Sequence, residues 1–137
     1  MLASTVLRKK ENNQTRGIRV AMHLSAIAFS VSLEELEAAT RRKAPVALAR
    51  QAAMYLVHVT LGMNLTHVGR AFGRDRSTAS HACQHIEELR DDPQFDRLLE
   101  CLEHTLKTLE TQPRPYSHLR CSRHITLPPP FGNAGIV

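Results

Sequence analysis

The run Asp75-Arg76-Ser77-Thr78, followed by Ser80, offers a carboxylate, a guanidinium and three hydroxyls within six residues. Groups of this kind hydrogen-bond base edges and phosphates, and after Asp75 no acidic residue stands among them. The residues behind them are apolar. Ala79, Ala82, Cys83, Ile86 and Leu89 recur at helical spacing, so one side faces a core while Arg76, Ser77 and Ser80 point outward over the first turns. Asp75 is placed to cap this helix by accepting from a backbone N–H near Thr78. The chemistry implied is recognition of a nucleic acid by a helix lying across it.

The elements around this run read as helices. The spacing predicts a first helix over residues 17–29. Ser32-Leu-Glu-Glu35 forms a capping box that opens a short second helix. Pro45 suits a first helical turn, and Val46, Ala49, Ala52, Ala53, Leu56, Val57 and Thr60 trace a long central helix that stops at Gly62. Asn64 caps a fourth helix with Leu65, Val68 and Phe72 inward, and Gly73 supplies the turn into the helix after Asp75. Helix, glycine turn, helix is the DNA-binding supersecondary unit. Asp92-Pro93 begins a last helix with Phe95, Leu98, Leu99, Leu102, Leu106 and Leu109 as its stripe. No alternating strand pattern occurs, and the expected fold is an all-α bundle containing a helix-turn-helix.

Charge is polarised along the chain. Between Glu37 and Asp75 there is no acid, while Arg41, Arg42, Lys43, Arg50, Arg70 and Arg74 fall in that interval. Farther on, Glu87, Glu88, Asp91, Asp92, Asp96, Glu100, Glu103 and Glu110 reverse the sign. A basic middle beside an acidic flank orients a protein on a duplex in a way that the net charge of +5 alone does not. At 137 residues with 42% hydrophobic content, the chain has room for one domain with tails. Residues 1–16 read as a basic flexible arm, 17–110 as the domain and 111–137 as a disordered Pro/Gly-rich basic tail. Aromatics at 4% and the absence of Trp argue against base stacking on a single strand.

Other chemistries find little support. Three cysteines, Cys83, Cys101 and Cys121, form no close pair, so neither a disulfide framework nor a zinc knuckle is expected, and a reducing cytoplasm fits. His81, Cys83 and His85 share a helix, but no further ligands stand at suitable spacing, and packing explains them more simply. No nucleophile elbow, HExxH or phosphate-binding glycine loop is present, so no enzyme activity and no cofactor are expected. The apolar run at residues 20–33 is short and broken by His23 and serines, below the roughly 18 residues of a spanning helix.

Three segments carry a family resemblance: Ala49-Arg-Gln-Ala-Ala-Met-Tyr-Leu56, Val68-Gly-Arg-Ala-Phe-Gly-Arg-Asp75 followed by Ser77-Thr78, and His81-Ala-Cys-Gln-His-Ile-Glu-Glu-Leu89. In this order and spacing, residues 20–109 resemble the C-terminal DNA-binding domain of the bacterial replication initiator DnaA, whose helix-turn-helix is Trp repressor-like. The resemblance implies a minor-groove role for Arg50, base contacts from Asp75, Arg76 and Ser77, and backbone contacts from Thr78 and Arg74. His58 stands where the family has a phosphate-binding lysine, and Leu65, Thr66 and Ser80 complete the expected DNA-binding set. Arg76 replaces a family histidine; since arginine favours guanine O6 and N7, base preference at that step is not inherited. One glycine of the family's turn is missing between Phe72 and Arg74.

Only about twenty residues precede this region, too few for the initiator's ATPase module. The implied protein is a stand-alone reader of double-stranded DNA, with DnaA-box-like sites as targets and a monomer sufficient. It would act as a small transcriptional regulator or a modulator of replication initiation. An interaction module using the stripe of the last helix is the rival reading.

Overall fold

A computed structural model describes residues 2–38 and 44–111, which form α1 (Leu2–Ala28), α2 (Leu33–Glu37), α3 (Ala44–Val59), α4 (Leu65–Ala71), α5 (Arg76–Leu89) and α6 (Pro93–Thr111). Among the described residues there is no strand. The expected helix starts are present at α2, α4 and α6. The Ser32 Oγ accepts from the Glu35 N–H while the Glu35 carboxylate accepts from the Ser32 N–H, both at 3.2 Å. Asn64 Oδ1 accepts from the His67 N–H at 2.8 Å, and Asp92 Oδ1 accepts from the Gln94 N–H at 3.1 Å.

The first helix differs from its expected extent. It begins at Leu2, so the stretch read as an arm is the N-terminal half of α1. Residues 2–16 contain neither Gly nor Pro and are rich in helix-forming Leu, Ala, Lys, Arg, Glu and Gln. Once the second half is packed, extending a helix costs far less than nucleating one. Arg16 also donates to the Leu109 carbonyl at 3.0 Å, which ties the junction to α6. The Arg41-Arg42-Lys43 cluster and the tail after Thr111 lie outside the described residues.

Helix α3 is the centre of the molecule. Val46 and almost every residue from Ala49 to Val57 are buried, because α1, α5, α4, α2 and α6 all pack on it. Ala49, Ala52 and Ala53 are each at zero exposure and let neighbouring helices approach closely. The stripe of α6 closes this same core: Leu99, Leu102 and Leu106 are buried, and Phe95 meets Phe29 with ring centroids 6.3 Å apart. The surface on which the interaction-module reading rested is thus spent inside the domain, with Leu109 left exposed at its end. No helix among the described residues is long and apolar enough to cross a membrane.

Candidate nucleic-acid interface

Helices α4 and α5 pack together across a tight turn, and Gly69 sets how closely. A Cβ at Gly69 would stand 2.8 Å from the Arg74 carbonyl oxygen and 3.0 Å from the Asp75 carbonyl carbon and oxygen, so only glycine fits there. The Arg74 N–H donates to the Gly69 carbonyl at 2.7 Å, and Gly73 takes φ +63° to reverse the chain. This glycine pair makes the turn with one glycine fewer than the family resemblance implies.

Asp75 occupies the N-cap position with extended backbone, φ −76° and ψ 158°. Its expected capping bond is not made: the side chain accepts no N–H from the first turn. The backbone turn orders the start of α5 instead, and the Asp75 carboxylate is exposed. Arg76, Ser77, Thr78 and Ser80 are exposed beside it, while Ala79, Ala82, Cys83 and Ile86 are buried beneath. Burial, with Glu87 adding a smaller effect, pushes the Cys83 thiol up to about 11. Thr66 is exposed on α4 and Leu65 is half-buried against the core.

Arg50 is placed differently from its expected role. It is only 8% exposed, and its guanidinium donates to three carbonyls at the end of α2: Leu36 at 3.0 Å, Glu35 at 3.3 Å and Ala38 at 3.0 Å. A helix leaves its last carbonyls without partners, and Arg50 supplies the donors. The guanidinium is held at the end of α2 by these bonds. Arg74, half-buried, donates to the same Ala38 carbonyl at 3.2 Å. Burial first, and the neighbouring Arg74 charge second, lower the Arg50 pKa from its ordinary value.

A cleft of about 380 Å³ runs between α3 and α5, with Arg50, Gln51, Arg74, Thr78 and His81 among its walls and Met54 in its lining. No carboxylate lines it, so it is a cationic hollow beside the exposed row of α5, with Ala47, Met54 and Ala82 supplying its apolar walls. His85 Nδ1 lies 2.7 Å from Gln51 Oε1, tying α5 to α3. His58, half-buried, holds its Nδ1 2.6 Å from the Met63 carbonyl. A carbonyl only accepts, so Nδ1 carries the proton and the ring is fixed away from a free, lysine-like reach. Among the described residues no group of three His, Cys, Asp or Glu side chains is placed to hold a metal.

The sequence reading missed one node. Arg90, at the end of α5, is bound by Asp96 and by Glu103 at 2.6 Å, and donates to the Tyr55 hydroxyl at 2.9 Å. It joins α5, α6 and α3 behind the recognition face. Its partners are 6, 13 and 35 residues away, and no local spacing announces them.

The profile of the bacterial dnaA protein helix-turn-helix matches residues 18–86, from the packed half of α1 through most of α5. The chromosomal replication initiator protein DnaA of Thermoanaerobacter sp. (strain X514) is 31% identical over 109 residues, covering 77% of this chain and 24% of that protein. The DnaA of Thermomicrobium roseum is 42% identical over 78 residues, 56% of this chain and 17% of its own length. A crystal structure of a DNA replication initiation factor superposes with a TM-score of 0.67 at 28% identity, over 75% of this chain and 32% of that one. The chain thus spans about a quarter or less of the initiators it matches. With the helix-turn-helix geometry, the profile match and the initiator relatives in agreement, the chain belongs to the bacterial DnaA helix-turn-helix family.

Proposed function

We propose that this domain reads double-stranded DNA in a sequence-specific way, at sites related to the initiator's box, and so regulates replication initiation or transcription. The observation that carries this reading is the exposed row Asp75, Arg76, Ser77, Thr78 and Ser80 on α5, raised on a buried apolar face directly after the glycine turn. In a helix-turn-helix the first turns of the second helix meet base edges in the major groove. Asp75, Arg76 and Ser77 take the base-reading positions, with Thr78 and Ser80 on the flanking phosphates. Thr66 and Leu65, at the start of α4, approach the backbone on one side.

Arg50 and Arg74 are reassigned as positioning residues. Both are engaged by the Ala38 carbonyl, and together they hold α2 against the recognition turn. The cationic cleft they line gives a phosphate near Thr78 a favourable field without a direct Arg50 contact. His58 contributes orientation of the α3 end in place of the family's lysine contact.

The test is a fluorescence-anisotropy titration against an initiator-box duplex and a scrambled duplex near physiological salt, repeated at higher salt. Specific binding should favour the box by at least a thousandfold, in line with dedicated DNA readers, and weaken steeply as salt rises. Equal affinity for the two duplexes overturns sequence-specific reading at initiator sites.

A further inference from the structure

Away from the recognition helix, α1 carries a second cationic face. Arg8, Asn12, Arg16, Arg19 and His23 follow one another at spacings of three or four residues, which places them on one side of a helix. Arg8, Asn12, Arg19 and His23 are exposed, and a shallow depression on this side is lined by Asn12, Thr15, Arg16, Arg19, Val20 and His23. Arg16 and Arg19 stand three apart, a like-charge pair that costs stability; Glu11, three residues after Arg8, is the single carboxylate within the span, and none stands between Asn12 and His23. The Glu110 carboxylate lies on the packed side, against Gly17. From Arg8 to Arg19 the stripe runs about 16 Å along the axis, long enough to follow several charges of a DNA backbone.

We infer that this stripe is a second DNA-binding surface, which grips the sugar-phosphate backbone of another duplex segment without reading its sequence. The inference rests on the DNA-binding reading of α5 for its biological use, although the contact itself does not need α5. Helix α3 packs against both α1 and α5, so it stands between the stripe and the recognition row. With α3 between the two helices, the stripe and the row are offered to separate duplex segments. The guanidiniums and the Asn12 amide along this side supply donors for phosphate oxygens. Ala21, Met22 and Ala26 bury the apolar side of the second half of α1 in the core, and among the described residues Leu7 and Ile27 are exposed near its opposite ends, about 30 Å apart, so they do not form one face that inserts into lipid. The consequence is DNA bridging.

Arg8→Ala/Arg19→Ala removes two exposed cations that make no hydrogen bond among the described residues, while Arg16, which donates to Leu109, is left in place. Beads carrying an initiator-box duplex are loaded with protein and offered a labelled duplex of unrelated sequence. Wild-type protein should capture the second duplex. The double variant should capture at least fivefold less, with box affinity unchanged within about twofold. Equal capture by the variant, or no capture by wild-type protein that binds the box, overturns the inference. So does capture replaced by binding to vesicles of phosphatidylglycerol and phosphatidylcholine. An Arg76→Ala/Ser77→Ala protein separates the two readings: it should keep weak, salt-sensitive duplex binding that vanishes when Arg8 and Arg19 are also replaced. Persistence of that binding after all four replacements also overturns the stripe, and this arm is informative even if selectivity for the box is never found.

Discussion

Arg76 is the side chain with the longest reach on the exposed row of α5, and in the proposed function its chemistry sets what the row prefers. A guanidinium pairs with guanine O6 and N7 through two parallel bonds, whereas histidine offers a single donor or acceptor on each nitrogen. Arg76→His should move preference at one base pair by about 1–3 kcal/mol, read by titrating duplexes that vary at each position. An unchanged base profile would remove Arg76 from base reading. Arg50 tests the opposite kind of role. With three carbonyl acceptors and 8% exposure, Arg50→Ala should cost about 2 kcal/mol of folding stability and lower the melting temperature by several degrees. Lost DNA affinity with an unaltered melting curve would instead return Arg50 to the DNA contact that the family resemblance implies. Cys83 adds a pH signature. Its folded-state pKa of about 11 lies above the ordinary thiol value of 9.0, so the unfolded chain releases the proton first as pH rises. Stability should be level through neutral pH and fall between about 9 and 11. Tyr55, raised chiefly by burial, adds to the same fall near its upper end. Denaturant titrations at stepped pH should show the loss diminished in Cys83→Ala; an identical profile in that variant would exclude the thiol as its source.

The elements are joined at a few close approaches, and the α4–α5 junction is the tightest. Gly69→Ala forces a Cβ to within 2.8 Å of backbone, where no flexible side chain can give way. A loss of about 1–3 kcal/mol is expected in denaturant titrations, with weaker box binding because the turn that aims α5 must shift. Wild-type stability in that variant would show that the turn tolerates more room than the distance allows. These elements were unevenly legible in the sequence. Ser32, Asn64 and Asp92-Pro93 mark helix starts because a cap is a local transaction within three residues, and the apolar faces of α5 and α6 follow from spacing alone. The first half of α1 lacks an apolar stripe, and its helicity depends on propagation from the packed half. Arg50 could not be placed from sequence because its acceptors are backbone carbonyls 12 to 15 residues away. Asp75 has the sequence of a cap, yet the glycine turn makes its capping bond unnecessary.

At the scale of the whole molecule, charge and connectivity act together. Arg70, Arg74 and Arg76 flank the recognition turn and acids populate the end of α5 and α6, so in the proposed complex the basic side would face the duplex. Raising salt should reduce affinity along a straight log–log line, with a slope of about −0.9 for each phosphate neutralised. A slope near zero would contradict a backbone-anchored complex. The Arg90 node, joined to Asp96, Glu103 and Tyr55, holds the acidic side together and keeps α5 seated on α3. Because the Ala38 carbonyl is shared by Arg50 and Arg74, the end of α2, the middle of α3 and the reading turn are fastened to a common point before any partner arrives. These bonds restrict in the unbound domain a turn that would otherwise be ordered on binding, so in the proposed function discrimination between sites should reflect the fit of the bases more than the ordering of the reader.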